Sequence, residues 1–161
     1  MDRLQELHDI EEIKQLKARY QRHLDSKEWE KLEEVFSPDA RSVYDGGKYT
    51  CEGRDAILKF LIDGLGPVEI QSMHHAHTPE IKITSETTAT GTWYLEDFVL
   101  TSLPSKNAPH GTSLHGTGVY SDEYIKLEGA WRILSTGYER IFEDIQPRNE
   151  GSRLRTRWDE V

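Results

Sequence analysis

The first part of the chain carries apolar residues at the three- and four-residue spacing of a helix. In the first such segment, Asp9 can cap the free backbone amides and Glu12 stands where a capping-box partner belongs. The buried stripe of this segment consists of Ile10, Ile13, Leu16, Tyr20 and Leu24. We therefore predict a helix that opens at Asp9 and ends at Asp25-Ser26, with the Tyr20 side chain pointing inward.

Two shorter helices and a small hairpin are predicted next. Residues 28–36 repeat the helical spacing, and Ser37-Pro38-Asp39 breaks it. A third helix begins at Gly53-Arg54-Asp55 and is stopped by Gly64 and Gly66-Pro67. Between these helices, residues 41–44 read as a short strand that can pair with residues 49–51 across a glycine turn.

Alternation of polar residues with β-branched and aromatic ones dominates the rest of the chain. It predicts four long strands over residues 70–83, 88–100, 114–127 and 131–142, with a loop over residues 103–111. Helices followed by antiparallel strands are an α+β order. A long curved sheet around the helices would leave a pocket between the two layers. We assign residues 1–146 to this domain and residues 147–161 to a polar, arginine-rich tail, whose Trp158 indicates docking, for instance on a neighbouring subunit.

The first two long strands carry the most distinctive chemistry. The run His74-His75-Ala76-His77 places three histidines in four positions. Because side chains alternate between the faces of a strand, His74 faces one side while His75 and His77 face the other. A hairpin with the next strand can bring Asp97 to the same concave side as His74. A histidine beside a carboxylate can move protons near neutral pH.

Composition narrows the class of protein. The chain has 161 residues, of which 35% are hydrophobic, and this suits one folded domain with its own core. The formal net charge of −9 argues against binding to nucleic acid phosphates. No apolar run is long enough to span a membrane, and the charged N-terminus does not look like a secretory signal. Cys51 is the only cysteine, which fits a reducing compartment, so we predict a cytoplasmic location.

Several segments are similar to one known family. They are residues 9–17, Tyr20 with Asp25, residues 77–81, residues 85–97 and residues 137–141. Together they resemble the SnoaL-like branch of the nuclear transport factor 2-like superfamily, and within it they are most similar to the bile acid 7α-dehydratases. The resemblance implies a cone-shaped α+β fold that encloses a pocket, and an assembly into a homodimer or homotrimer.

The resemblance also implies an active site. The tyrosine, two aspartates, histidine and arginine of the family fall on Tyr20, Asp25, His74, Asp97 and Arg140. A histidine in this strand is also used by related haloalkane-eliminating lyases and scytalone dehydratases. The implied reaction is a dehydration that needs no metal or organic cofactor. Its substrate is a hydrophobic hydroxylated molecule, steroid-like or polycyclic and aromatic, either free or as a coenzyme A thioester.

Each of the five residues can be given a role in such a dehydration. His74 can take a proton from carbon and return it to the leaving hydroxyl. Asp97 or Asp25 can hold the imidazole in one tautomer. Tyr20 can donate to a substrate carbonyl, and Arg140 can pair with an aspartate or steady an anion.

Simpler explanations exist for the same residues. Tyr20 can be a core tyrosine, Asp25 a helix cap, and Asp97 with Arg140 a structural ion pair. The same site could also perform a retro-aldol cleavage, releasing formaldehyde from a lignin-derived diaryl diol, or a double-bond isomerisation. A third class is a non-catalytic ligand-binding or dimerisation module on the same fold, which would not need five matched polar positions.

Other aromatic and histidine residues receive secondary assignments. We predict that Trp93, His115 and Tyr138 bind the substrate, with His115 facing the cavity. His75 and His77 are expected on the surface or at a subunit interface. We predict no metal site, because the spacing does not reveal a third ligand beside these two histidines.

Overall fold

A computed structural model describes residues 2–159, so Met1 of the predicted domain and Glu160 and Val161 of the predicted tail lie outside the described residues. The elements are α1 (Arg3–Asp25), α2 (Trp29–Glu33), β1 (Phe36–Tyr44), a 3₁₀ turn (Asp45–Gly47), β2 (Tyr49–Glu52), α3 (Arg54–Leu65), β3 (Ile70–Ile83), β4 (Thr88–Thr101), β5 (Thr112–Leu127) and β6 (Ala130–Pro147). This order confirms the predicted α+β class. Within residues 2–159 no helix has the length and apolar character of a membrane span.

The strands form one curved sheet in the order β2-β1-β6-β5-β4-β3. All neighbours are antiparallel except β1 and β6, which run parallel. The helices lie against the concave face, and the core fills the space between the two layers. It is built from apolar side chains of α1, α3 and the inward positions of the strands, such as Leu16, Ile57, Leu95 and Ile133.

Most predicted elements are confirmed, but several boundaries differ: β1 begins at Phe36 and β6 runs on to Pro147. The bounds of the first two helices are also wrong. The first helix begins at Arg3, and Asp9 is not its cap but a buried residue within it. Asp9 Oδ1 accepts hydrogen bonds from Lys126 Nζ at 2.5 Å and from Trp131 Nε1 at 3.1 Å. Desolvation by burial alone would raise the pKa of Asp9, but these bonds outweigh it and the pKa is lowered.

The second predicted helix is also too long. α2 ends at Glu33, and β1 already begins at Phe36. Ser37-Pro38-Asp39 therefore lies within a strand rather than after a helix. Pro38 is tolerated because β1 has a register irregularity towards β6 between Phe36 and Arg41, where no backbone N–H is needed for a regular ladder.

Two bulges in the β5–β6 ladder decide which β6 side chains face the core. The register shifts between Glu123 and Tyr124 and again between Thr117 and Gly118. A one-residue shift moves the following side chains to the opposite face of a sheet. The buried face of β6 thus passes from Ile133 to Thr136, and Tyr138 and Arg140 continue on that side.

The tail after β6 returns to the body of the same chain. Lys27 Nζ lies 5.4 Å from the ring centre of Trp158, within the range of a cation–π contact. Lys27 also donates to the carbonyl oxygens of Leu65 and Ile70. Trp158 therefore has a docking site beside the end of α1, within its own chain.

A fully buried ion pair ties α1 to the sheet. Lys17 Nζ lies 2.7 Å from Asp122 Oδ2, and both side chains are at most 1% exposed. Tyr124 and Thr136 also donate hydroxyl hydrogen bonds to Asp122, each at 2.7 Å. The Lys17 ammonium lies 3.4 Å from the ring centre of Tyr120. Burial lowers the pKa of Lys17, and the bond to Asp122 opposes this effect.

We expect Asp122→Asn to lower the free energy of unfolding by about 3–5 kcal/mol, because removing one partner leaves the other charge buried and uncompensated. Urea unfolding followed by circular dichroism measures the change. Glu123→Gln is the matched control: it removes an adjacent carboxylate that is exposed and should cost under about 0.5 kcal/mol. Equal effects of the two variants would contradict the account.

Candidate active site

The last residue of α1 fastens the histidine of β3. Asp25 Oδ1 lies 2.6 Å from His74 Nδ1 and accepts a hydrogen bond from Ser72 Oγ at 2.8 Å. Asp25 Oδ2 accepts from the backbone N–H of His74, also at 2.8 Å. Because an ionised carboxylate only accepts, we assign the proton of the neutral ring to Nδ1. The other nitrogen, Nε2, is then available as a base, and Asp25 is more than a helix cap.

A second polar pair stands next to the first. His74 and Asp97 are directly opposite each other in the β3–β4 ladder, as predicted. Asp97 is only 2% exposed and is held by Arg140, whose Nη1 and Nη2 lie 2.5 and 2.9 Å from its two oxygens. Burial alone would lower the pKa of Arg140, but the bond to Asp97 outweighs it and the pKa is raised. Arg140 therefore stays charged, and Asp25 rather than Asp97 orients His74.

This pair fits because β5 carries no side chain beneath it. Gly116 lies opposite Asp97 in the β4–β5 ladder. A methyl group at Gly116 would come within 2.8 Å of Asp97 Oδ1 and would also collide with the Arg140 guanidinium. The missing side chain makes room for the bidentate pair.

Four tyrosines surround the polar groups: Tyr20, Tyr44, Tyr120 and Tyr138. The hydroxyls of Tyr20 and Tyr44 are 3.4 Å apart. Burial raises the pKa of both well above that of a free tyrosine. Their hydroxyls therefore remain protonated near neutral pH and can act as hydrogen-bond donors. The ring of Tyr138 lies 4.8 Å from the Arg140 guanidinium carbon, which adds a cation–π contact.

These groups line one cavity of about 210 Å³ between the helices and the sheet. Its remaining walls are mostly apolar, formed by Leu24, Phe60, Leu61, Leu65 and Val99. His74, Asp97 and Arg140 lie together among the lining residues, and Asp25 stands behind His74. A few convergent polar groups in an apolar pocket are typical of a small-molecule site.

A larger groove of about 420 Å³ lies on the opposite side of the sheet. It is lined by outward residues such as Thr90, Thr92, Ser121 and Glu139, and it contains no histidine. We place the candidate site in the smaller cavity, because it joins a histidine base to buried tyrosine donors and apolar walls.

Two of the predicted substrate contacts lie elsewhere. His115 does not face the cavity, and that prediction is wrong. It lies on the outer face, where its Nε2 is 3.0 Å from Glu96 and its ring stacks on Phe98. Trp93 lies deeper in the core and donates its indole N–H to Tyr124 at 2.9 Å. Tyr138 does line the cavity.

Sequence reasoning missed Tyr44, Tyr120 and Ser72 as parts of this site. Tyr44 ends the predicted strand of residues 41–44, and Tyr120 alternates with polar residues in β5. The alternation of polar and apolar residues predicts that both side chains point inward. It does not show whether an inward side chain lines a cavity or packs in the core. Ser72 could have been found, since it shares a β3 face with His74.

We expect Gly116→Ala to lower the free energy of unfolding by about 1–3 kcal/mol, because the added methyl overpacks the Asp97–Arg140 pair. Gly64→Ala is the control: it adds the same methyl within α3, where nothing lies within 4 Å of it. The control should gain about 0.5–1 kcal/mol from lower chain entropy. Thermal unfolding measures both, and a neutral Gly116→Ala would show that the pair is not tightly held.

Comparisons with known proteins agree with this architecture. Residues 5–136 match the SnoaL-like domain family. A hexachlorocyclohexane dehydrochlorinase, LinA type 2, is 16% identical with a TM-score of 0.79, covering 98% of this chain and all of the other. A proposed scytalone dehydratase from Novosphingobium aromaticivorans is 23% identical with a TM-score of 0.74, covering 93% and 97%. A LinA type 3 dehydrochlorinase from Novosphingobium barchaimii is 17% identical with a TM-score of 0.75, covering 96% and 99%. The chain belongs to the SnoaL-like domain family, with the fold of the nuclear transport factor 2-like superfamily.

Proposed function

We propose that this protein is a cofactor-independent lyase that removes water from a hydrophobic hydroxylated substrate, with His74 as the proton carrier. The observation that carries the proposal is the Asp25–His74 pair at the wall of the cavity. The carboxylate takes up Nδ1, and Nε2 is the nitrogen that remains for a bound molecule. An imidazole held in this tautomer already has an unprotonated Nε2, so it can accept a proton without a prior tautomer change.

His74 alone can carry out both proton transfers of the dehydration. Nε2 of His74 takes a proton from the carbon next to a substrate carbonyl, and the electron pair of the C–H bond forms a carbon–carbon double bond. The C–O bond on the neighbouring carbon breaks. The leaving hydroxyl receives the proton back from the imidazolium and departs as water, which restores His74. Asp25 stabilises the imidazolium that exists between the two transfers.

The tyrosines supply the other half of the chemistry. Negative charge develops on the substrate carbonyl oxygen as its neighbouring carbon loses a proton. The Tyr20 hydroxyl is buried and protonated, so it can donate to that oxygen inside a water-poor cavity. The Asp97–Arg140 pair already uses its charges internally. We therefore assign this pair a structural role: it fixes one wall of the cavity and the positions of the charges beside the substrate.

The walls define the substrate class. Aliphatic and aromatic side chains surround the polar end of the cavity, so the substrate has one hydroxylated end and an apolar body. A volume of about 210 Å³ favours compact ring systems in the cavity as it stands. A steroid or a coenzyme A thioester would have to extend out of the mouth of the cavity. Two structural neighbours are named as elimination enzymes, a dehydrochlorinase and a proposed dehydratase, and this supports the reaction type.

We expect His74→Ala to reduce turnover by about 10²–10⁴-fold, because it removes the group that moves the proton. The assay is mass spectrometry of product formation on a panel of hydroxylated substrates. The panel contains 7α-hydroxy-3-oxo-4-ene steroids, free and as thioesters, compact hydroxylated aromatic ketones, and lignin-type diaryl propanediols. Loss of water from one member, abolished in the variant, is the predicted result.

His110→Ala is the matched control, because it removes an exposed histidine on the loop before β5, and it should retain full turnover. Equal turnover of wild type and His74→Ala would exclude His74 as the base. Release of formaldehyde from a diol would replace dehydration by carbon–carbon cleavage at the same site. Binding of panel members without turnover of any would leave a ligand-binding module.

A further inference from the structure

A cluster of metal-binding side chains lies on the outer face of the sheet, away from the cavity. His75 and His77 project from β3, Glu96 from β4 and His115 from β5. The faces follow from strand alternation: His74 faces the cavity, so its neighbour His75 faces outward. The β3–β4 register then pairs His75 directly with Glu96. Glu96 is the third ligand that spacing along the chain did not reveal, because it comes from the adjacent strand.

The distances fit a small divalent cation. Glu96 Oε2 lies 3.4 Å from His77 Nε2 and 3.8 Å from His75 Nδ1. One ligand atom from each of the three residues lies within 4.8 Å of the others. Tetrahedral ligands bound about 2.0–2.1 Å from zinc are about 3.3 Å apart. Small rotamer changes therefore bring all three to one ion, and the side chains are exposed enough to turn.

His115 completes the cluster from the far side of Glu96. Its Nε2 lies 3.0 Å from Glu96 Oε1, the carboxylate oxygen that faces away from the other two histidines. The His115 ring is itself fixed, because it stacks on Phe98 at 4.1 Å between ring centres and meets the edge of Phe142. A ligand carboxylate held by a hydrogen bond on its second oxygen is a common feature of metal sites.

A second group of similar composition can be set aside. His8, Asp9 and Glu12 also bring three ligand atoms together on α1. Asp9 Oδ1, however, already accepts from Lys126 and Trp131. The other oxygen, Oδ2, has no hydrogen-bond partner among the described residues but is fully buried, so an ion bound there would lie inside the core beside the Lys126 ammonium. The outer-face cluster has no lysine or arginine among its hydrogen-bond and ion-pair contacts in residues 2–159.

We propose that His75, His77 and Glu96 bind a zinc-type divalent transition-metal ion, with His115 positioning the carboxylate. Two imidazoles and one carboxylate are a donor set that suits such ions. The ion would join β3, an edge strand of the sheet, to its neighbour β4. β3 also carries His74, so the metal would stabilise the strand that holds the proposed base. The site is separate from the cavity and does not depend on the proposed lyase reaction.

Calorimetric titration of the untagged 161-residue protein with ZnCl₂ tests the proposal. We expect one ion per chain, and a thermal midpoint that rises by about 5 °C or more at 100-fold excess over the dissociation constant. Glu96→Gln and His77→Asn should each weaken binding at least about tenfold, and His115→Gln about 10–100-fold. All three positions are half-exposed, so these variants should fold, and circular dichroism verifies this.

Two control variants locate the ion. His110→Asn removes an exposed histidine outside the cluster and should bind zinc as the wild type does. His8→Asn removes an exposed histidine of the α1 group and should also leave affinity unchanged. Absence of binding by the wild type would overturn the proposal. So would binding that survives Glu96→Gln and His77→Asn, or binding that is lost in His8→Asn.

Discussion

The carboxylate of Asp25 is the contact on which the candidate site depends. It joins the end of the longest helix to an edge strand through three hydrogen bonds, two of them to His74. An edge strand has a neighbouring strand on one side only. The contact therefore ties β3 to α1 and sets the orientation of its imidazole. The lysine two residues later reinforces it, since Lys27 donates to the carbonyl oxygen of Ile70 at the start of β3.

The inner face of the sheet places charged groups at two depths. At one end, Lys17 and Asp122 are sealed from water, and Asp122 accepts three hydrogen bonds, one of them from Lys17. Closer to the cavity, Arg140 and Asp97 form a bidentate pair that is still slightly open. Charges at such depths are tolerated only when each is paired. The two pairs leave His74 as the group in this layer whose second polar atom is free to serve a ligand.

Much of the fold could be predicted because its patterns are local. β3 was predicted with its observed bounds, and α3 ends at the glycines that were expected to stop it. The opposition of His74 and Asp97 followed from strand period and hairpin pairing. The order of the sheet did not follow, because nothing local indicates that β1 pairs in parallel with β6.

The errors have identifiable physical causes. Asp9 resembles a helix cap, because an aspartate suits both a cap and a buried ion pair. The contact that identifies the ion pair is with Lys126, which is distant in the sequence and gives no local signal. His115 was expected inside, but its strand partner Phe98 places it on the outer face, one residue away from inward Asp97. The orientation of Arg140 depends on the β-bulge between Ile133 and Ser135. No turn residue in the sequence indicates that bulge. The resemblance to a known family, and not periodicity, led to Arg140.

The most direct test of this account is nitrogen-15 NMR of the histidine rings in the wild-type protein. It measures which ring nitrogen of His74 carries the proton. We predict the tautomer with the proton on Nδ1, bonded to Asp25, and an unprotonated Nε2. A neutral His74 with its proton on Nε2 would contradict the account, because that nitrogen could not then act as the base.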